Sequence, residues 1–353
     1  MKKLCFVIQG VTFLKSILPL IIFSNSQDIK PVVFLIKKRP GKNYDDLISR
    51  SQQIENIIKD NNVDCEIHWC DNQQQVLKYM HINQLTKIVC QDAHGHGRIF
   101  CEDESIEVFS IGVFFDTLHH ANDLRIKRLG YKKFPDVVYF PDLKFKNEFK
   151  RIYPNYTSEM KSLGSPVLDH VLFLKENRNR KTVTFLVTLQ RLISDETQHE
   201  IEKFIDYCSH NDIEFIMKTK PRTPWKFKNN EMYKKIKLVD HEDGFPATSI
   251  NLICNSDVII SSYSTCAIEA DYLGVPCINL ESVDRKSLTY AVNSIKHDYN
   301  FSNFFNSETC LTTSRDIENA YKKLIENNKS KKEKITFKEN NSTRILRDIK
   351  SFL

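Results

Sequence analysis

The stretch 255–280, NSDVIISSYSTCAIEADYLGVPCINL, decides how the chain folds. Residues 257–261 form a short apolar run of β-formers, residues 275–280 form another, and residues 264–273 between them are helix-competent. Strand, tight turn, helix and strand in that order make one βαβ unit of a parallel sheet. Ser264 or Thr265 stands where an N-cap belongs, and Gly274 followed by Pro276 stands where a helix closes. A helix that starts directly after a parallel strand turns its free N–H groups and positive dipole end toward the carboxyl edge of the sheet, where ligands bind in such folds. Hydroxyls at Ser261, Ser262, Ser264 and Thr265 add donors there, making a phosphate cradle without a glycine-rich loop. Glu269, about one turn further in, can accept a pair of sugar hydroxyls. The plainer alternative is that the hydroxyls only cap the helix and Glu269 faces solvent.

Working outward, the chain before this unit alternates in the same way. Residues 4–9 read as a strand, 12–23 as a helix, 31–36 as a strand, 45–61 as a helix, 65–69 as a strand, 73–80 as a helix and 87–91 as a strand. That β-α-β-α-β-α-β order is the mark of a doubly wound parallel domain. Residues 108–115 and 136–140 continue it with apolar runs, and a short helix is expected over 147–153. The charged stretch 175–181 is the expected linker, dividing the chain into domains 1–174 and 175–353. The second domain repeats the alternation: strands at 182–189, 213–218 and 235–240, and helices at 195–209, 247–254 and 314–327. Residues 342–353 read as a terminal helix, and 284–296 carry no clear pattern.

Candidate chemistry gathers where predicted strands end. His94 and His96 lie in Asp92-Ala93-His94-Gly95-His96-Gly97 directly after a strand; two imidazoles without an evident third ligand suit the positioning of a hydroxyl better than a metal. Asp116 and the pair His119 and His120 follow the run 108–115, and an imidazole there titrates in the range a general base needs. Lys218, Lys220 and Arg222 leave the strand 213–218 and place three cations where a diphosphate would need neutralising. No Asp-x-Asp follows a strand to hold a divalent cation, so the chemistry is expected to need no metal and no cofactor.

The run SDVIISSYSTCAIEADYLGVPCINL resembles the C-domain signature of GT-B glycosyltransferases, above all surface-polysaccharide and CDP-glycerol-transferase-like members and the related UDP-GlcNAc 2-epimerases. Ser264, Thr265, Glu269, Gly274 and Pro276 match that pattern. A second match, DVVYFPD at 136–142 with LGSPVLD at 163–169, resembles the end of the N-domain in the same group and stands in the expected order. The resemblance implies an α/β chain of two Rossmann-like domains facing across a cleft, GT-B type, with a terminal helix that returns to the first domain. It implies a nucleotide-sugar donor held by the second domain, and a glycan or lipid-linked acceptor and the base on the first. The family's His-Gly step is replaced here by His119-His120-Ala121, and its Lys-x-His-Pro step by Lys218-Thr219-Lys220-Pro221. The epimerases carry adjacent glycines and paired glutamates where this chain has Tyr263-Ser264-Thr265-Cys266 and the single Glu269, which favours a transferase. A CDP-alcohol phosphotransferase, an epimerase and a catalytically silent binding scaffold are the alternatives.

Composition fits this reading. The chain has 353 residues, 41% hydrophobic and 27% charged, enough for two domains that each bury a core. Its net charge of +6 comes from 51 basic and 45 acidic residues, and the Lys-rich run 329–334 lacks the interleaved aromatics of a nucleic-acid patch. Weak attraction to anionic membrane surfaces is compatible with that charge. Ten cysteines without a C-x-x-C pair read as reduced, small hydrophobes, which points to a cytoplasmic protein. The opening Met1-Lys2-Lys3 and the apolar stretch to Phe23 imitate an export signal, but Gln9, Gly10, Thr12 and Lys15 interrupt it, and strand plus helix is the preferred reading. No segment approaches a membrane span of ~20 apolar residues.

Overall fold

The structure is a computed structural model describing residues 1–37, 47–91, 97–112, 134–174, 181–187, 190, 193–219, 225–241, 243–262, 264–280, 309–313, 315–328 and 339–353. The chain divides into two compact units, Met1–His170 with Phe337–Leu353, and Val171–Thr336. Each is a parallel α/β layer structure, as the alternating pattern predicts.

In the first unit the order is β1 (Lys2–Ile8), α1 (Val11–Ser24), β2 (Ile29–Ile36), α2 (Ser51–Asp60), β3 (Glu66–Cys70), α3 (Gln73–Ile82), β4 (Lys87–Gln91), α4 (Arg98–Cys101), β5 (Glu107–Ile111), β6 (Val137–Phe140), α5 (Leu143–Ile152) and β7 (Glu159–Ser162). The strands form one sheet in the order β3-β2-β1-β4-β5-β6-β7, and every neighbouring pair is parallel. The central strands are continuous apolar runs because helices cover both faces of such a sheet; Leu4 to Ile8 and Val32 to Leu35 are buried throughout. The edge strand β7, Glu-Met-Lys-Ser, is half-buried and has no apolar run, so its sequence gives no strand signal.

A last helix, α10 in chain order (Asn341–Lys350), belongs to this first unit, although a boundary at 174/175 groups it with the second. Its buried stripe of Ile345, Leu346 and Ile349 lies on the side that packs against α1. Both ends are tied down. At the N-terminus the buried carboxylate of Asp169 accepts from the Asn341 N–H at 2.9 Å, the Ser342 N–H at 2.6 Å and the Ser342 hydroxyl at 2.6 Å. Gly164 makes the approach feasible: its φ of +103° lies in the region that disfavours side chains, and a Cβ there would come within 2.0 Å of Asn341 Oδ1. Near the C-terminus Asp348 accepts from the Tyr139 hydroxyl and from Lys161 Nζ, both at 2.8 Å.

The second unit runs β8 (Thr182–Leu186), α6 (Asp195–His210), β9 (Glu214–Lys218), β10 (Lys237–Val239), α7 (Thr248–Cys254), β11 (Val258–Ser261), α8 (Thr265–Tyr272), β12 (Cys277–Leu280), β13 (Cys310–Thr313) and α9 (Ile317–Asn328). Its parallel sheet has the order β10-β9-β8-β11-β12-β13. One face carries Val183, Phe185, Phe215, Met217, Ile260 and Ile278, which form a core with Phe204 of α6 and with Tyr321 and Leu324 of α9. Alternation puts the neighbouring residues on the opposite face, the side on which α8 packs over β11 and β12. All ten cysteines are free thiols, and no helix of the described residues is long and apolar enough to cross a membrane.

Candidate functional site

The unit that decides the fold is built as its sequence requires. Strand β11 ends at Ser261, the Ser264 hydroxyl caps α8 by accepting from the Cys266 N–H at 3.3 Å, and Gly274 follows with φ 62°. The left-handed glycine lets Val275 N–H reach back to the Ala270 carbonyl at 2.9 Å, which closes the helix and feeds β12. Ile259, Ile260 and Ser261 then pair in register with Cys277, Ile278 and Asn279.

Register carries the polar groups into a row. Lys218 pairs with Leu186, Leu186 with Ser261, Ser261 with Asn279, and Asn279 with Thr312. Residues paired in this way point to one face of the sheet, so Lys218, Ser261 and Asn279 share the face that α8 covers, at the strands' carboxyl ends. The row crosses the place where strand order reverses, between β8 and β11, the position at which open α/β sheets take their ligands.

Burial makes the row unusual. Ser261 is 0% and Asn279 3% exposed, yet neither the Ser261 hydroxyl nor Asn279 Oδ1 has a hydrogen-bond partner among the described residues; nor does the hydroxyl of buried Thr219, which follows β9. The Ser162 and Ser165 hydroxyls of the first unit are likewise without a partner among the described residues, whereas Thr184 and Ser256, lower on the same face as the row, share a 2.6 Å hydrogen bond. The polar atoms of the row, unpartnered among the described residues, gather at the carboxyl edge beside the N-terminus of an eight-residue helix, which makes this edge the candidate site.

Of the residues singled out from sequence, the structure brings Lys218, Ser262, Ser264, Thr265 and Glu269 to this edge or to the helix that opens on it. Lys218 is buried, its Nζ donating to the Thr219 carbonyl at 3.1 Å. Ser262 is buried, while Ser264 and Thr265 remain partly exposed at the helix start. Glu269 does not face solvent: it is 1% exposed and lies inside the unit. Lys220 and Arg222, His94 and His96, and Asp116, His119 and His120 lie outside the described residues. No group of three or more metal-ligating side chains occurs among the described residues. Sequence reading missed Asn279 and Thr219; the available signal was a lone amide inside the apolar run 275–280, where asparagine is disfavoured.

No family model matches the chain, and no curated protein does. Solved structures do. UDP-GlcNAc 2-epimerase from Methanocaldococcus jannaschii, solved with UDP-GlcNAc and UDP, aligns with TM-score 0.62 at 15% identity over 99% of this chain and 100% of that one. UDP-N-acetylglucosamine 2-epimerase from Rickettsia bellii aligns with TM-score 0.59 at 15% identity, covering 100% and 97%. UGT2 of Phytolacca americana, complexed with UDP-2fluoro-glucose and pterostilbene, aligns with TM-score 0.54 at 10% identity, covering 99% of both chains. At such identities the likeness is one of architecture, and it agrees with the two parallel sheets and their strand orders: the chain has the GT-B type fold of two Rossmann-like domains that these epimerases and glycosyltransferases share.

Proposed function

We propose that the protein is a nucleotide-sugar enzyme whose second unit holds the diphosphate of the donor, and that its reaction is glycosyl transfer to a hydroxyl acceptor. The observation that carries the reading is the buried Ser261 hydroxyl, without a partner among the described residues, at the carboxyl edge of β11, three residues before the cap of α8. A phosphate oxygen placed there would accept from that hydroxyl and from the first N–H groups of α8, and would face the helix dipole. Lys218, on the same row two strands away, would add positive charge, with Lys220 and Arg222 as its companions in the proposal. Ser262, Ser264 and Thr265 complete the cradle, and Glu269 would take the ribose hydroxyls.

In this mechanism an acceptor hydroxyl attacks the anomeric carbon while the nucleoside diphosphate leaves, its growing charge met by helix N–H groups, hydroxyls and cations already in place. His119 or His120, oriented by Asp116, would take the acceptor's proton, and His94 and His96 would position the acceptor. The second reading is epimerisation of a UDP-sugar. It is supported by the TM-scores of the two epimerases above, 0.62 and 0.59 against 0.54, although the epimerase of Neisseria meningitidis aligns at 0.52.

One set of incubations separates these. The purified chain is given UDP-glucose, UDP-GlcNAc or CDP-glycerol with and without a hydroxyl acceptor, and products are followed by NMR. Acceptor-dependent release of UDP supports transfer, and inversion at the sugar C2 without acceptor supports epimerisation. Consumption of CDP-glycerol with release of CMP would replace both by phosphotransfer. Absence of binding to any of these nucleotides by calorimetry would sink the enzyme reading altogether.

A further inference from the structure

We propose that Asn279 is the residue that recognises the sugar attached to the diphosphate, through a hydroxyl group that both donates and accepts. The inference rests on the nucleotide-sugar reading above and adds a specificity determinant to it. Asn279 is the third residue of β12, 3% exposed, and its Oδ1 has no hydrogen-bond partner among the described residues. A buried amide left in that state costs on the order of 1–3 kcal/mol. A native fold satisfies such a group, and at the carboxyl edge of a parallel sheet a ligand group is one that can do so.

Position and chemistry select between ligand groups. Asn279 pairs in register with Ser261, so the amide and the orphaned hydroxyl stand on one face about 4.8 Å apart. Helix α8 packs over both strands. Moving the other way along the row, Lys218 lies two strands beyond Ser261, roughly 10 Å away. The row is therefore graded: a cation at β9, a hydroxyl at β11, and at β12 a neutral amide with both a donor and an acceptor. An ionised phosphate oxygen could satisfy only the amide's N–H groups, because it has no proton to offer Oδ1. A sugar hydroxyl satisfies both sides at once. The diphosphate accordingly belongs toward Ser261 and Lys218, and the sugar toward Asn279.

The test compares UDP with UDP-glucose and UDP-GlcNAc by isothermal titration calorimetry in the parent and in Asn279→Leu, which keeps the branched shape of the side chain and removes both polar groups. The parent is expected to bind the UDP-sugars. In the variant, UDP affinity should stay within about twofold, while UDP-sugar affinity falls about tenfold, the scale of a lost hydrogen bond and the orphaned ligand group it leaves. The variant without ligand should melt close to the parent, since the gain from removing an unsatisfied buried carbonyl offsets the strain of the somewhat larger leucine. If Asn279→Leu does not fold, Asn279→Ser carries the same comparison with the polar atom withdrawn from reach. Unchanged binding of all three ligands would assign the amide to water, and equal loss of UDP and UDP-sugar would make it part of the phosphate site or the scaffold; either overturns this inference alone. A parent that binds neither UDP nor UDP-sugar overturns the nucleotide-sugar reading, and this inference with it.

Discussion

Two side chains with almost no solvent exposure make different demands on the chain. Glu269 is 1% exposed on α8, so the solvent-facing alternative raised by the sequence does not hold. A carboxylate in that setting is kept for a partner or a ligand, because burying it uncompensated is expensive. Glu269→Gln preserves its shape; in the proposed ribose contact it should weaken UDP about ten- to a hundredfold and 2′-deoxy-UDP much less, since one bond is already missing there. Calorimetry with both nucleotides checks this, and an equal loss for both would remove the carboxylate from the ribose. His170 has no such freedom. It is buried, its Nε2 contacts the Lys15 carbonyl at 2.7 Å, and burial pushes its pKa down to about 3. Its folded pKa lies below the unfolded value near 6.5, so folding favours the neutral ring, and stability is lost as pH falls from about 6.5 toward 3. Between pH 7 and pH 5 the expected loss is about 2 kcal/mol. Thermal melts at the two pH values should fall further apart for the parent than for His170→Gln, which has nothing to protonate. Asp169, whose burial raises its carboxyl and so shifts the balance the other way, is present in both proteins and cancels in that comparison.

At the scale of elements, the terminal helix α10 shows how a few polar contacts fix an assignment that pattern leaves open. Its N-terminal N–H groups are held by Asp169 within the first unit, where orphaned donors would otherwise be buried. Asp169→Ala should therefore destabilise the first unit by about 2–4 kcal/mol, visible as a melting transition lowered by roughly 10 °C. A drop of one or two degrees would mean that the apolar stripe of Ile345, Leu346 and Ile349 alone holds the helix. The helix itself was readable from 342–353, and so were nearly all the strands with apolar runs: 87–91 matches β4 residue for residue. What escaped were elements without a period of their own. Strand β7 is a polar edge strand paired with β6, and β13, Cys-Leu-Thr-Thr, is a short half-polar strand beyond 284–296, the stretch without a readable pattern. The linker expected at 175–181 lies almost wholly outside the described residues, and the described chain before it, Pro166–Phe173, forms a short 3-10 segment. The candidate site was legible in part for the same reason. Caps, glycines and serines around α8 are local signals, whereas the row from Lys218 through Ser261 to Asn279 exists only once register has set four strands side by side.

For the whole molecule, two units with separate sheets and separate cores let the effect of a ligand be read unit by unit. A ligand that binds only the folded second unit stabilises it by about 2.7 kcal/mol at a hundred times its dissociation constant, through mass action alone. UDP should thus raise the melting of the second unit and leave that of the first in place, while Asp169→Ala does the reverse. Hydrogen exchange read separately over 182–280 and over 2–91 distinguishes them, and protection confined to the first sheet would place the nucleotide in the wrong half of this proposal. The same separation sharpens the question of metal. Charge on a leaving diphosphate can be met by the N-terminus of α8, the Ser261 hydroxyl and the Lys218 cation, which together need no ion to bridge the phosphates. Catalysis is therefore expected to survive EDTA. Lys218→Ala should lower turnover by tenfold or more, because a buried charge-assisted contact is worth about 1.5–3 kcal/mol. If EDTA abolishes activity and Mg²⁺ restores it, the charge is being met by the ion. In that case Lys218→Ala in saturating Mg²⁺ should lose little, and a measured turnover close to the parent's would retire the lysine from the mechanism while leaving the cradle at α8 in place.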